Sequence, residues 1–203
     1  MTEPTPPMLT VDQLTQLKLR WEKLGLVGVL DHLRPGRTNA EMDALTEPLG
    51  IVLPAEARVW WGWHDGTDPL GVDPIRGEEF AMLAPGRIFL SLGDAVKECQ
   101  ILRGLLREGY GSNDFWRQWL PLNTLEDPTI LDCAADAPAR VFRLEFQFRD
   151  RRLGLPTLGA LVDAYIEAFD AGAWWLEQPG HQDSRWQQDV EKIDQRIAAH
   201  KLI

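Results

Sequence analysis

The sequence lacks the motifs that mark the common enzyme classes. It has no G-x-x-x-x-G-K-[ST] loop, no G-x-G-x-x-G turn, no G-x-S-x-G elbow and no H-E-x-x-H helix. These absences remove the usual signs of nucleotide binding, of α/β-hydrolase chemistry and of zinc proteolysis. The histidines His32, His64, His181 and His200 are scattered, and none is paired at metal-ligand spacing. We therefore expect a protein that is not an enzyme and that needs no metal or cofactor.

Cysteines and long apolar runs are scarce as well. The two cysteines, Cys99 and Cys133, are too few for a disulfide framework. No stretch approaches the ~18 apolar residues of a membrane span. The N-terminus also lacks the basic and apolar segments of a secretion signal. These features predict a cytoplasmic protein that does not bind membranes.

Basic residues are fewer than acidic ones, 21 against 31, which gives the 203-residue chain a formal net charge of −10. This charge repels nucleic-acid phosphates and attracts cationic partners. The same charge also serves solubility alone in a domain of this size. The composition thus argues against nucleic-acid binding and leaves both interpretations of the acidic surface open.

The pattern of elements predicts the domain organisation. Residues 1–9 carry three prolines and are expected to form a disordered lead. Residues 10–180 should form the domain, and residues 181–203 a C-terminal helical extension with Trp186 on its apolar stripe. Helices precede and follow a group of short strands without strict β-α alternation. This order predicts one α+β domain, with a mixed or antiparallel sheet flanked by helices and with N- and C-terminal helices.

Local signals predict the boundaries of several elements. Capping boxes at Thr10 and Thr38 predict the starts of two helices, and Pro48 predicts that the second helix ends or kinks near Glu47. Thr157 is expected to cap a later helix. Strands are predicted at RIFL, QWLPL, TILDC and VFRLEFQFR. In the last strand, the alternating side chains expected to line the core are Phe142, Leu144, Phe146 and Phe148.

The segment LPAEARVWWGWHDG carries three tryptophans in four positions. It is predicted to be a helix with Pro54 in its first turn and Gly66 as its terminator. At roughly 100° per residue, Trp60 and Trp63 share one face and Trp61 points away from it. We therefore expect Trp60 and Trp63 to be buried, and Trp61 to be more exposed or covered by another segment such as the first helix.

The segment LRPGRTNAEMDALTEPLGIVLPAEARVWWGWHDG, from Leu33 to Gly66, resembles the opening of Smi/Knr-type domains of the SUKH superfamily, the cell-wall-assembly-regulator-like proteins. RIFLSLGDAVKE, WLPLNTLEDPTILDC and LPTLGALVDAYIEAF resemble later parts of that family more loosely. The chain departs from the family at Pro48, at LEDP in place of a glycine-rich turn, and in its extension after Trp175. The residues on the family's landmarks are Leu49, Gly50, Leu53, Pro54, His64, Asp65 and Gly66.

This resemblance implies an α+β fold, no known catalytic centre and a binding role. Bacterial members look like immunity proteins that neutralise a toxin, and fungal relatives like cell-wall and signalling scaffolds. We therefore predict a non-catalytic protein-binding module, an immunity protein whose partner is a basic toxin domain. The alternatives are a housekeeping interaction domain and an enzyme with a carboxylate site near Asp127 and Asp132. The candidate partner-binding residues are Trp61, His64, Asp65, Asp68, Asp73, Glu78 and Glu79.

Overall fold

Five helices lie in the described part of the chain. The computed structural model describes residues 7–26, 30–68, 82–84, 87–107, 118–124, 128–134, 140–145, 150–177, 185–189 and 191–192. The helices are α1 (Val11–Leu24), α2 (Asn39–Thr46), α3 (Ala55–Trp63), α4 (Leu92–Arg107) and α5 (Leu158–Asp170). Most of the described residues up to Trp63 are therefore helical, as the sequence predicts, and a short strand at Leu33–Pro35 lies among these helices.

Three of these helices begin at a threonine whose hydroxyl satisfies a backbone N–H of the first turn. Thr10 and Thr38 form complete capping boxes, in which Gln13 and Glu41 return a side-chain acceptor to the backbone N–H of the threonine. Thr157 Oγ1 accepts from a backbone N–H of α5 in the same way. Each cap depends only on residues within one helical turn, so the sequence is sufficient to predict it. All three predicted caps are confirmed.

The end of α2 is set by Pro48. The helix stops at Thr46, and Glu47–Leu49 continues as a tighter 3-10 turn. Proline has no N–H to donate, and its ring clashes with the preceding turn. The N–H of Gly50 donates to the Glu47 carbonyl at 2.9 Å and closes the turn. The predicted end of this helix is confirmed.

The described strands form four antiparallel groups. They are β1 (Leu33–Pro35), β2 (His64–Thr67), β3 (Met82–Ala84), β4 (Arg87–Phe89), β5 (Trp119–Pro121), β6 (Asn123–Thr124), β7 (Thr129–Asp132), β8 (Arg140–Glu145), β9 (Asp150–Leu155), β10 (Trp174–Glu177) and β11 (Arg185–Gln188). β1 pairs with β2, and β10 with β11. β3-β4-β6 form a three-stranded sheet and β5-β7-β8-β9 a four-stranded sheet. The protein is thus an α+β domain with small antiparallel sheets.

Leu122 joins the two larger sheets. Its carbonyl accepts from the N–H of Leu90, directly after β4, at 3.2 Å, and its N–H donates to the Thr129 carbonyl of β7 at 2.8 Å. The neighbouring Asn123 side chain accepts from the Thr129 N–H at 3.1 Å. Buried polar groups are therefore satisfied at the point where the chain passes from one sheet to the other.

One hydrophobic core connects the helices with these sheets. α1 packs against α3 and α5, and α5 packs against β8, β9 and β10. The largest fully buried side chains are Trp21, Trp60, Trp61, Phe89, Leu14, Leu17, Met42, Leu92, Leu120, Leu122 and Ile130. Five of the nine tryptophans of the chain are buried in the described part: Trp21, Trp60, Trp61, Trp119 and Trp174.

The predicted disordered lead is wrong for its last residues, Pro7–Leu9. Leu9 is buried, and its N–H donates to Glu56 Oε1 at 2.6 Å. The Pro7 carbonyl accepts from Thr157 Oγ1, also at 2.6 Å. Proline has a fixed φ and no N–H to satisfy, so ordering it costs less entropy than ordering other residues. The remainder of the predicted lead lies outside the described residues.

The C-terminal region also differs from the prediction. Trp186 lies in β11, which pairs with β10 in the register Leu176 to Trp186. The prediction that Trp186 belongs to a helical stripe is therefore wrong, because pairing with the preceding strand, β10, overrides a weak helical period. Glu191 and Lys192 are helical, and the rest of the predicted extension lies outside the described residues.

The strand predicted at VFRLEFQFR is present as β8 over Arg140–Glu145. Val141 in this strand is buried in the core. The side chains predicted to form its core face lie outside what the structure describes: Phe142, Leu144, Phe146 and Phe148.

Candidate functional site around the His-Asp-Gly segment

β2 carries the His-Asp-Gly residues directly after α3. The helix ends at Trp63, and the backbone of His64 is extended, with φ −146° and ψ 139°. Gly66 is therefore not the helix terminator that the sequence predicts but a strand residue with φ +75°. A Cβ at Gly66 would lie 2.8 Å from the Phe89 carbonyl oxygen. Both the conformation and the close approach of β2 to the end of β4 require glycine here.

Asp65 ties three elements together from a buried position. Its Oδ1 accepts from the N–H of Leu92, the first residue of α4, at 2.8 Å. Its Oδ2 lies 2.7 Å from Nη2 of Arg37. The backbone N–H of Arg37 donates to the Trp61 carbonyl of α3 at 2.9 Å. A carboxylate at a helix N-terminus is stabilised by the helix dipole, so Asp65 is a structural anchor.

The burial of the tryptophans corrects the predicted orientation of α3. Trp60 and Trp61 are fully buried, whereas Trp63 is half-buried. Trp61 Nε1 donates to the Leu90 carbonyl at 3.2 Å, and Trp60 packs edge-on against Phe89 with ring centroids 4.9 Å apart. The prediction that Trp61 is more exposed than the other two is wrong, whereas its alternative, that another segment covers Trp61, is confirmed. The connection from β4 to α4 covers the face that helical periodicity alone assigns to solvent.

His64 lies half-buried at the edge of this cluster. Its Nδ1 is 2.9 Å from the Arg34 carbonyl oxygen, and its ring contacts that of Trp63 edge-on with centroids 4.5 Å apart. Because a carbonyl only accepts, Nδ1 carries the proton in this hydrogen bond. The pKa of His64 is lowered, mainly by burial. The hydrogen bond to the Arg34 carbonyl opposes this effect, and the charge of Lys18 adds to it. The imidazole is therefore neutral at pH 7.

Arg34 bridges two carboxylates at the outer edge of the site. Its guanidinium lies 3.6 Å from Asp68 Oδ1 and 3.5 Å from Asp94 Oδ2. Asp94 also accepts from Ser91 Oγ at 2.6 Å and from Lys97 Nζ at 2.9 Å. Burial raises the pKa of Asp94, but the hydrogen bonds from Ser91 and Lys97, together with the charges of Lys97 and Arg34, lower it below its ordinary value. Asp94 is thus held as a carboxylate.

The predicted partner-binding residues fall into three groups. Trp61 and Asp65 are buried and hydrogen-bonded within the protein, and their contact with a partner stays a prediction. His64 and Asp68 are half-buried at the edge of the cluster. Those that lie outside the described residues are Asp73, Glu78 and Glu79.

Arg34 and Arg37 are the site residues that sequence reasoning misses. Arg34 lies in β1 and Arg37 two residues after its end, and both bind carboxylates of the segment that contains and follows His-Asp-Gly. Their partners depend on the antiparallel pairing of β1 with β2, which places Pro35 opposite His64. The only available signal is the pair of arginines three residues apart in an acidic chain.

The described residues contain no group of three or more His, Cys, Asp or Glu side chains that could hold a metal ion. Asp132, part of the alternative carboxylate site, accepts the N–H of Ala134 at 3.0 Å, which is an ordinary turn contact. Asp127 lies outside the described residues. Within the described ranges, no helix has both the length and the apolar character needed to cross a membrane.

Exposed charged side chains in the described part are mostly acidic. Nine acidic residues are exposed: Asp12, Glu22, Asp31, Glu41, Asp43, Glu47, Asp170, Glu177 and Glu191. Three basic residues are exposed: Lys23, Lys97 and Lys192. The partly buried arginines bind carboxylates or carbonyls of the protein itself: Arg20, Arg34, Arg37, Arg58 and Arg103. Among the side chains that the structure describes, the arginines are thus paired within the protein and carboxylates predominate among the exposed charges.

No protein-family model matches the chain, and no characterised protein matches it in sequence.

Proposed function

We propose that this protein is a non-catalytic binding module for a cationic protein, and specifically an immunity protein that neutralises a basic toxin domain. The observation that carries the proposal is the excess of nine exposed acidic over three exposed basic side chains in the described part. Complementary charge accelerates the encounter of two proteins and selects against acidic partners. The resemblance of residues 33–66 to SUKH domains supports the same role.

Val52 supplies an apolar contact within the acidic surface. Its exposed fraction is 75%, whereas its neighbours Ile51 and Leu53 are both buried. The backbone before Val52 is fixed by a hydrogen bond of 3.2 Å from the Ile51 N–H to the Thr46 carbonyl. Glu47, in the same turn, is exposed. A rigidly presented apolar side chain beside a carboxylate suits a contact that combines steering with short-range packing.

The test begins with capture of the partner from the native lysate and determination of its sequence and charge. The association rate of the purified pair is then measured by stopped flow from low to physiological salt. We expect a basic partner and an on-rate that falls steeply as the Debye length shrinks toward ~8 Å. A flat salt response or an acidic partner contradicts the electrostatic basis of the proposal.

Two variants locate the contact. Glu47→Lys combined with Val52→Ser should lower affinity at least about tenfold, since it reverses a charge and removes an apolar anchor. The control Asp12→Lys makes the same charge reversal on α1 and should affect mainly the on-rate. Reproducible turnover of a substrate that disappears in Asp132→Asn would contradict the non-catalytic part of the proposal.

A further inference from the structure

A cleft between the N-terminal ends of α3 and α5 holds residues Pro7–Leu9, which we call the strap. Glu56, in the first turn of α3, has an exposed fraction of 1%. Its Oε1 accepts from the N–H of Leu9 at 2.6 Å and from the N–H of Gly159, the second residue of α5, at 3.0 Å. One carboxylate oxygen thus binds the strap and a helix end together.

The cleft contacts both the backbone of the strap and the side chain of Leu9. A Cβ at Gly159 would lie 2.8 Å from both Leu9 N and Met8 C, and closer still to the Pro7 carbonyl oxygen. That carbonyl accepts from Thr157 Oγ1 at 2.6 Å. Leu9 is the buried side chain of the strap, whereas Met8 is 53% exposed. Backbone groups and one apolar side chain are features that many peptides share.

The strap leaves part of the cleft unsatisfied. Within the described residues, the second carboxylate oxygen of Glu56, Oε2, is buried without a hydrogen-bond partner. A buried polar atom in this state costs free energy that a donor would recover. A peptide that brings one more N–H to Oε2 would therefore fit the cleft better than the strap does.

The contacts that hold α1 are separate from those that hold the strap. The capping box that starts α1 uses only Thr10 and Gln13, which follow the strap. The Gln13 side chain also holds α5, through a hydrogen bond of 2.7 Å to Asp163. These contacts do not involve strap residues, so α1 remains attached to α5 when the strap is released.

We propose that this cleft is a peptide-binding site, which the strap occupies in cis as a removable ligand. Its ligand in trans is an extended peptide with an apolar side chain at the position of Leu9 and an additional N–H donor for Glu56. This inference is independent of the identity of the toxin partner.

The first test uses the full-length protein and measures hydrogen exchange at the Leu9 amide. Gly159→Ala places a methyl group against the strap but leaves α5 with a better helix former. We expect the Leu9 amide to exchange at least about tenfold faster in this variant. Detachment of the strap alone, without unfolding of the whole protein, would then expose this amide to solvent. The control is Gly104→Ala in α4, where a Cβ meets no atom within 4 Å. Unchanged exchange in Gly159→Ala would overturn the proposal.

The second test measures binding of a fluorescein-labelled peptide with the sequence of residues 5–12 by anisotropy. Leu9→Ser removes the one buried side chain of the strap and leaves the cleft unblocked, so we expect this full-length variant to bind the peptide at least about tenfold more tightly than the wild type, whose cleft is occupied. Leu9→Ser combined with Gly159→Ala should not bind, nor should a peptide with serine in place of its leucine. If Leu9→Ser is poorly folded by circular dichroism, Leu9→Ala replaces it. No binding to either variant, or equal binding to the blocked variant, overturns the proposal.

Discussion

Asp65 and Glu56 are both buried carboxylates that accept a backbone N–H in the first turn of a helix. They differ in what faces the second oxygen. Asp65 Oδ2 lies 2.7 Å from the guanidinium of Arg37, whereas Glu56 Oε2 has no hydrogen-bond partner among the described residues. In a low-dielectric interior such pairing decides whether a buried charge is compensated. The Asp65 anchor is therefore complete, and the Glu56 anchor retains capacity for a donor.

The largest effect is expected from removal of the paired carboxylate. Asp65→Ala leaves the Arg37 guanidinium and the Leu92 N–H without their acceptor and should lower the free energy of unfolding by about 3 kcal/mol. The measurement is urea unfolding. The control Asp68→Ala removes a carboxylate from a longer, half-exposed pair and should cost under about 1 kcal/mol. Equal losses in the two variants would show that the buried pair at Asp65 contributes no more than a surface pair.

A smaller effect is expected from the second hydrogen bond near the start of α4. Trp61→Phe removes the hydrogen bond from Nε1 to the Leu90 carbonyl and should cost about 1–2 kcal/mol in the same unfolding experiment. The matched change Trp175→Phe is made at a side chain that is 42% exposed, and it should be nearly neutral. A neutral Trp61→Phe would mean that Asp65 alone holds this junction.

Glu56→Gln should change stability less, by no more than about 1 kcal/mol in either direction. The glutamine oxygen can still accept from Leu9 and Gly159, and the substitution removes a buried charge that lacks a cation. Unfolding of this variant is compared with that of Asp65→Asn, which has the same chemistry but leaves Arg37 unpaired and should cost more. A larger loss from Glu56→Gln than from Asp65→Asn would reverse the contrast between the two anchors.

The smallest expected effect is on the pH dependence of stability, through His64, the residue before Asp65. Because the pKa of His64 is lowered on folding from its ordinary 6.5, the unfolded chain binds a proton more readily. The stability that His64 contributes is complete above pH 6.5 and is lost as the pH falls toward the lowered pKa of the folded protein. Unfolding free energies measured between about pH 5 and pH 8 should therefore fall less steeply in His64→Gln than in the wild type. Identical slopes would contradict the prediction.

The features that the sequence predicts correctly depend on neighbouring residues. The Thr10 and Thr38 capping boxes and the end of α2 at Pro48 follow from residues within one helical turn of each other. Trp61 and Gly66 are predicted wrongly because their surroundings come from the distant connection between β4 and α4. Helical periodicity identifies one buried face but does not reveal a second covering element.

The candidate site is predictable only in part for the same reason. His64 and Asp65 stand out as a motif at the end of a helix, but their roles depend on Arg34 and Arg37, which lie about 30 residues earlier. The sequence does not predict that the strap is ordered, because a proline-rich start is typical of disorder. Its order depends on Glu56, whose burial no pattern in the first residues indicates.

Leu122 makes misalignment in one large sheet inseparable from misalignment in the other. Pro121 pairs with Ile130 in the four-stranded sheet, and Asn123 pairs with Phe89 in the three-stranded sheet, with this one residue between them. A slip by one position turns buried side chains toward solvent, and here it would do so on both sides of Leu122 at once. The link thus couples the registers of the two sheets, because a single slip at this point would cost both pairings.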